Sequence, residues 1–276
     1  MAANYTAADI KTLREATGAG MMDVKKALDE AEGDLAKATE ILRVKGLKGV
    51  TKREGRSASN GLVRAHIDGG AGTLVEVNCE TDFVAKSPKF GELADQLLAQ
   101  AVQAEATDAD SLLASQIDGT SVKDVIDEAN AGLGEKIEIR RVARVTGDQV
   151  VSYLHKTNPD LPAQIGVLVA TTGGDEQVAR DIAMHVAAFA PTVLSRDDID
   201  AETVANERRI AEETAREEGK PEQALSKIVE GRVNGFFKEN VLLDQAFAKD
   251  AKKSVGQVAK EAGTQVTGFA RFKVGV

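Results

Sequence analysis

The sequence predicts an α+β protein. A three-helix N-terminal module precedes a core of two α+β subdomains, and the second subdomain is interrupted by an antiparallel helical hairpin, or coiled coil. Three observations carry this prediction. Apolar residues up to Leu42 recur at helical spacing. From Leu62 the period switches to the two-residue alternation of strands. After Val150 the order strand, strand, helix of the preceding region returns. The boundaries fall at 1–55 for the helical module with its basic linker, 56–146 for the first core subdomain and 147–276 for the second.

The first helix opens at a Thr6/Asp9 capping box and carries Ile10 and Leu13 on one face. Gly18-Ala19-Gly20 breaks it. The second runs from about Met21 to Ala31, with Val24, Ala27, Leu28 and Ala31 as its stripe. Gly33 stops it, and Asp34 caps a third with the stripe Leu35, Ala38, Ile41 and Leu42, ended by Gly46. Helices this short are marginal alone, so the three must pack together. Residues 47–60 read as a polar linker.

Leu62–Ile67 and Thr73–Cys79 are predicted strands joined through Asp68–Gly72. A helix follows Pro88 with Phe90, Leu93, Ala94, Leu97, Leu98 and Ala101, and a third strand spans 136–145. Val150–His155 and Ile165–Ala170 repeat the strand pair, and Val178, Ile182, Ala183, Val186 and Phe189 repeat the helix. Two copies are too few for a solenoid. The hairpin occupies about 197–237, broken at Gly219-Lys220-Pro221. Its first arm offers a thin stripe of Val204, Ala205, Ile210 and Ala211; its second offers Leu225, Ile228, Val229 and Val233. Residues 265–274 alternate and form a closing strand.

Composition excludes several classes. At 276 residues, 42% apolar and 29% charged, the chain has the make-up of a soluble globular protein. One cysteine excludes a disulfide framework, and no apolar run approaches the roughly 20 residues of a membrane span. Residues 1–11 show no basic patch followed by an apolar block, so the expectation is a cytoplasmic protein without a signal peptide. A net charge of −9 argues against nucleic acid as the main partner. Residues 1–60 are nonetheless slightly basic, with 11 basic and 9 acidic side chains. Arg43, Lys45, Lys48, Lys52, Arg53 and Arg56 end that segment and read as a solvated linker.

The chemical candidates are few. Gly18–Asp23 superficially echoes a phosphate loop, but it follows a helix and no Gly-Lys-Ser/Thr occurs. Direct nucleotide binding is not expected. Cys79 shares a strand face with Val75 and Val77 and reads as an inert buried thiol; a thiol enzyme pairing it with a histidine is the competing reading. His66, His155 and His185 lie on different elements, and His185 sits on an apolar face as a core histidine. No Cys/His cluster has metal-ligand spacing. One segment stands apart: Asn78-Cys79-Glu80-Thr81-Asp82-Phe83-Val84 leaves a strand, turns and puts an Asp-Phe pair before a Pro-bounded helix. Phe83 there is either core or an anchor for a partner. Met21-Met22 poses the same choice, because soft Met side chains suit adaptable contact surfaces.

The run Thr81-Asp82-Phe83-Val84 after Asn78-Cys79-Glu80 resembles the signature of the translation elongation factor Ts family. Residues 13–28, 134–141 and 266–272 resemble its N-terminal signature, its mid-core strand and its closing strand, in family order. The resemblance implies a ubiquitin-associated-like helical module, a two-subdomain core and an inserted coiled coil. It implies a guanine-nucleotide exchange factor that binds elongation factor Tu in its GDP form and promotes GDP release. No chemistry of its own, no cofactor and no metal are implied. Asp82 and Phe83 match the pair that intrudes near the partner's magnesium and switch region. Met21, Met22 and Lys25 match contacts from the helical module; Gly134 and His155 match further contact positions in the core. The hairpin matches an arm used for dimerisation or partner contact, compatible with a homodimer, a 1:1 complex or a 2:2 complex. Some members carry a further helical tail; here the module and core are expected to suffice. The competing class is a non-catalytic scaffold recruiting proteins through its helical module and coiled coil, in which Phe83 would be buried.

Overall fold

The computed structural model describes residues 4–17, 19–53 and 55–276, the side chains of 47–52 excepted. The chain is α+β, as predicted. Helices α1 (Ala7–Thr17), α2 (Met21–Glu30) and α3 (Leu35–Arg53) pack around Leu13, Val24, Ala27, Leu28, Ala38 and Leu42. The expected capping box is formed: Thr6 N–H donates to Asp9 and Asp9 N–H to the Thr6 hydroxyl. Asp34 caps α3 by accepting from Ala36 and Lys37. Gly18 lies outside the described residues.

Three readings of this module are corrected. Leu35 is exposed, because the stripe facing α1 and α2 begins at Ala38. Gly46 does not end α3, which runs on to Arg53. The glycine serves packing instead: a Cβ at Gly46 would stand 2.6 Å from the Ala131 Cβ of a crossing helix. Nor is the basic stretch simply a solvated linker. Arg43 pairs with Glu128, Lys45 with Glu30 at 2.9 Å, and Arg56 with Glu80 at 3.3 Å. Arg53 donates to the Asn130 carbonyl at 3.0 Å. The side chains of Lys48 and Lys52 lie outside those described.

The first sheet begins with β1 (Asn60–Asp68) and β2 (Ala71–Cys79). Asp68 pairs with Ala71, so the turn is the two residues Gly69-Gly70 and not the five-residue loop the sequence suggested. A single helical turn, α4 (Asp82–Ala85), precedes α5 (Pro88–Gln103), α6 (Ala109–Leu113), the small hairpin of β3 (Gln116–Ile117) and β4 (Thr120–Ser121), and α7 (Val122–Leu133). Strand β5 (Glu138–Thr146) then returns beside β2, giving the antiparallel order β1-β2-β5. The second sheet follows with β6 (Gln149–His155) and β7 (Ile165–Thr172), then α8 (Glu176–Phe189). Helices α9 (Ala201–Glu217) and α10 (Glu222–Asn240) form the predicted hairpin, beginning and ending a few residues later than expected. Strands β8 (Ala246–Phe247) and β9 (Asp250–Ser254), helix α11 (Val255–Glu261) and β10 (Gln265–Lys273) complete the chain, with antiparallel order β10-β7-β6.

The two sheets meet across Val63, Leu74, Ala163, Leu168 and Phe272. Helices α5–α7 cover the outer face of the first through Phe90, Leu97, Leu112 and Ile126. Helices α8 and α11 cover the second through Ile182, Val186, Val255 and Ala259. Strands β2 and β7 lie at the centre and are covered on both faces. That is why their sequences read as near-continuous apolar runs. Glu76 is fully buried between the sheets. Its carboxylate meets Arg141 at 2.6 Å, and Arg141 also donates to the Lys273 carbonyl and lies over the Phe272 ring. A buried charge is tolerable only when paired in this way.

The internal repeat extends further than the sequence suggested. In the first unit Val122 N–H donates to the Ser115 carbonyl, and Ser121 caps α7. In the second Val255 N–H donates to the Gln245 carbonyl, and Ser254 caps α11. Each unit therefore carries a two-stranded clip before its last helix. In the hairpin, Ala211 and Ala215 on α9 face Leu225, Val229 and Val233 on α10. Of the expected stripe, Ala205 and Ile210 are exposed, while Ala211 is buried as expected and sets the seam together with Ala215. Among the described residues, no helix is long and apolar enough to cross a membrane.

Candidate functional site

Two successive caps isolate α4 as one turn. Thr81 opens it by accepting from Val84 N–H at 3.3 Å, and Ser87 opens α5 by accepting from Phe90 N–H at 3.3 Å with Pro88 behind it. Residues of a helix rotate by about 100° each, so burying one face exposes the opposite one. Ala85 is buried and Val84 half-buried against the core of α5 and the first sheet. Phe83, roughly opposite Ala85, is thereby turned outward, while Asp82, nearer the Ala85 side, is half-buried. Phe83 is 81% exposed, which excludes the reading of this aromatic as core. The Lys86 ammonium lies 2.8 Å from the Asp82 carboxylate and holds its pKa below the ordinary value.

The base of this turn is tied to the segment between α7 and β5. The Glu135 carboxylate accepts Glu80 N–H at 3.1 Å, Thr81 N–H at 3.0 Å and the Thr81 hydroxyl at 2.5 Å. In return the Glu80 carboxylate accepts Lys136 N–H at 2.7 Å and pairs with Arg56. Gly134 ends α7 with φ of 76°, a left-handed conformation that redirects the chain toward Thr81. Cys79 lies just beneath, buried, donating its thiol to the Thr81 carbonyl at 3.2 Å. Burial, and then the nearby Glu135 charge, push the thiol up to about 12. A thiolate nucleophile is excluded at neutral pH.

The other predicted site residues lie on α2, at the end of α7 and at the end of β6. Val24, Ala27 and Leu28 fix the buried face of α2, leaving Met21, Met22 and Lys25 on its outer side. Met21 is 57% exposed and Met22 63%. A cleft of about 700 Å³ separates α1–α3 from α5 and α7; Gly20 lines one wall and Lys89, Leu93 and Gly134 the other. His155 ends β6, exposed, with its Nδ1 3.1 Å from the Tyr153 hydroxyl. Lys156, next to it, shares a groove of about 280 Å³ with Lys86 and Pro88 of the α4–α5 turn. The groove is lined by Ala85–Pro88, which follow the Thr81–Val84 turn, and by Lys156, which follows His155; Thr81–Val84 and His155 themselves do not line it. Gly134 is linked to the turn through Glu135, and the methionines lie on a helix of the opposite wall of the large cleft.

His185 is the core residue it was expected to be. Ala248 N–H donates to its Nδ1, so Nε2 carries the proton and donates to Gln245 at 2.8 Å. Its ring stacks on Phe189, and burial lowers its pKa. The residues the sequence reading missed are Glu80, Glu135 and Arg56 as a bonded set. The one available signal was a left-handed glycine followed by an acid, and that shows its meaning only once β2 and β5 are known to be neighbours.

The family model described as elongation factor TS matches residues 80–276. Curated relatives match over the whole chain. A protein of Micrococcus luteus called elongation factor Ts is 64% identical over 276 residues, covering 99% of both chains. Proteins of the same name from Paenarthrobacter aurescens and Beutenbergia cavernae are each 63% identical, again with 99% of both chains covered.

Proposed function

The chain belongs to the elongation factor Ts family, and from that premise we propose that it is a guanine-nucleotide exchange factor of translation, acting in the cytoplasm on elongation factor Tu in its GDP form. The GTPase site is the partner's, and this chain is a modulator with no catalytic group, cofactor or nucleotide site of its own. Exchange requires only that it bind the empty partner more tightly than the nucleotide-bound one. Linkage then weakens nucleotide by the same factor. An acceleration of ~10⁴ corresponds to about 5.5 kcal/mol of differential binding.

In this reading Phe83 is a wedge that displaces the partner's switch element and, with it, the hold on Mg²⁺. Asp82 accompanies it as a negative charge at the same region. Thr81 and Val84 form the base of the wedge. Met21, Met22 and Lys25 contact the partner from the helical module, and Gly134 and His155 brace it from the core. The single observation that carries the reading is an 81% exposed phenylalanine on a turn whose base is bonded to Glu135. A desolvated aromatic anchor is worth roughly 2–4 kcal/mol, so Phe83 supplies a large share and the bracing surfaces the rest. The scaffold alternative required Phe83 to be buried and loses its support. The hairpin is an exposed arm, for the partner in a 1:1 complex or a second copy in a 2:2 complex; sedimentation of the complex with elongation factor Tu distinguishes them.

The test is stopped-flow release of a fluorescent GDP analogue from elongation factor Tu, with wild type and Phe83→Ala compared. Wild type is expected to accelerate release, and the folded variant to lose roughly 30-fold or more of that acceleration. No acceleration by wild type refutes the function; an unimpaired variant refutes the wedge.

A further inference from the structure

A four-residue helix does not hold its own shape, since one turn is too short to offset the cost of nucleation. Something outside α4 must fix the direction in which Phe83 points. We infer that Glu135 is the positioning residue of the Phe83 turn: its carboxylate locks Thr81 as the N-cap of α4, and so presets the partner-binding aromatic. This deepens the proposed function and rests on its reading of Phe83.

The bonding is specific. One Glu135 oxygen accepts both the Glu80 and Thr81 amides, and the other takes the Thr81 hydroxyl proton at 2.5 Å. That hydroxyl, with its proton so committed, turns a lone pair to Val84 N–H. Glu135 therefore selects the Thr81 rotamer that caps the helix. Glu80 returns the contact through Lys136 N–H, so each of the two turns presents a carboxylate to the backbone of the other. Bonds to an ionised carboxylate are the stronger kind. Arg56 joins the set through Glu80, and Arg53 reaches the Asn130 carbonyl on α7. The segment leading to β1 is thus held to the Glu80 turn, and the end of α3 to α7. Without Glu135 the two amides lose their acceptor and Thr81 is free to rotate. The turn would then be ordered only on binding, at the expense of affinity.

The chain contains no tryptophan, so Phe83→Trp creates a single reporter at the turn. In that background, Glu135→Ala is expected to lower the fluorescence anisotropy of the residue. Glu135→Gln, which keeps one oxygen for the two amides, is expected to restore most of it. In the otherwise natural chain, Glu135→Ala is expected to reduce the acceleration of GDP release roughly tenfold. Added to Phe83→Ala it should reduce release no further, since it acts through Phe83. Should Glu135→Ala not fold, Thr81→Val removes the hydroxyl link to Glu135 together with the cap on Val84 N–H, leaves both amide bonds, and is expected to free the reporter in the same direction. An anisotropy unchanged by these variants overturns the inference whatever the exchange rates. An anisotropy that falls while Phe83→Ala still exchanges normally leaves the clamp standing and overturns the wedge instead.

Discussion

Gly46 offers a test of how the helical module is seated on the core. In Gly46→Ala the new Cβ would lie 2.6 Å from the Ala131 Cβ on α7, where carbon atoms in contact stand about 3.5–4.0 Å apart. The clash is with a methyl fixed directly to a helix backbone, so no rotamer change relieves it. Helix α3 or α7 must move by about 1 Å. Overpacking of this kind costs about 1–3 kcal/mol, while replacing a helical glycine by alanine returns about 1 kcal/mol. The expected net loss is about 1 kcal/mol. Ala131→Gly alone costs about 1–2 kcal/mol through propensity and a lost methyl. Together the two substitutions merely exchange the methyl between helices, and the double variant should return to near wild type. The coupling is then about 2 kcal/mol, against about zero for independent sites. Denaturant unfolding followed by circular dichroism measures it, with hydrogen exchange over residues 35–46 showing whether the loss is local to α3. Costs that add to within about 0.5 kcal/mol would refute the close crossing of α3 and α7.

His185 makes stability depend on pH in a defined window. Its folded pKa is lowered by burial, so the unfolded chain binds a proton more readily; stability is complete above the ordinary imidazole value of about 6.5 and is lost as pH falls from there toward the folded value. Thermal melts between pH 7.5 and 5 should show this slope in wild type and lose it in His185→Gln, whereas the exposed capping carboxylates Asp9, Asp108 and Asp200, with lowered pKa values, act only in the more acidic range. Cys79 should resist iodoacetamide in the native protein and react only as the chain unfolds in denaturant, since its thiol is buried and pushed up to about 12; prompt native alkylation would revive the thiol-enzyme reading.

What the sequence made legible was whatever has a local cause. The capping box at Thr6, the cap at Asp34, the apolar stripes of α2, α5 and α10, and the alternation of β1 and β10 are all written within a few residues of where they act. The misses have distant causes. Gly46 looks like a stop signal until α7 is known to cross it. Ile210 looks like a seam residue until the smaller Ala211 and Ala215 are seen to set the distance between the hairpin arms. In the region 104–121 the elements are only two to five residues long, too short for a periodic signal; α7 after it is amphipathic, with Val122 and Ile126 buried, and was overlooked. At the site, Phe83 was left open between core and anchor. One residue's pattern cannot say which way a single turn faces; the burial of Ala85 decides it. Glu135 was invisible as a partner of Thr81 because 54 residues separate them.

The exposure of Phe83 has an energetic meaning for the free protein. A phenylalanine offers roughly 200 Å² of surface, so 81% exposure leaves about 160 Å² in water. At about 25 cal/mol per Å² that is up to about 4 kcal/mol of burial forgone. This is a considerable part of the 5–15 kcal/mol by which a typical domain is stable. A flexible segment carrying such a residue would fold it onto the nearest apolar surface and recover part of that energy. The Phe83 turn cannot do so, because its base is bonded to Glu135 and its far side is anchored by Ala85 and by the Ser87 cap. Rigidity therefore keeps the burial energy available until a partner supplies the apolar surface. On the reading proposed here, that energy drives the partner's switch element aside, and a looser turn would spend it on contacts within this chain. Exposure and rigidity are both needed: an exposed but mobile phenylalanine would bind without prying, and a rigid but buried one would not bind at all.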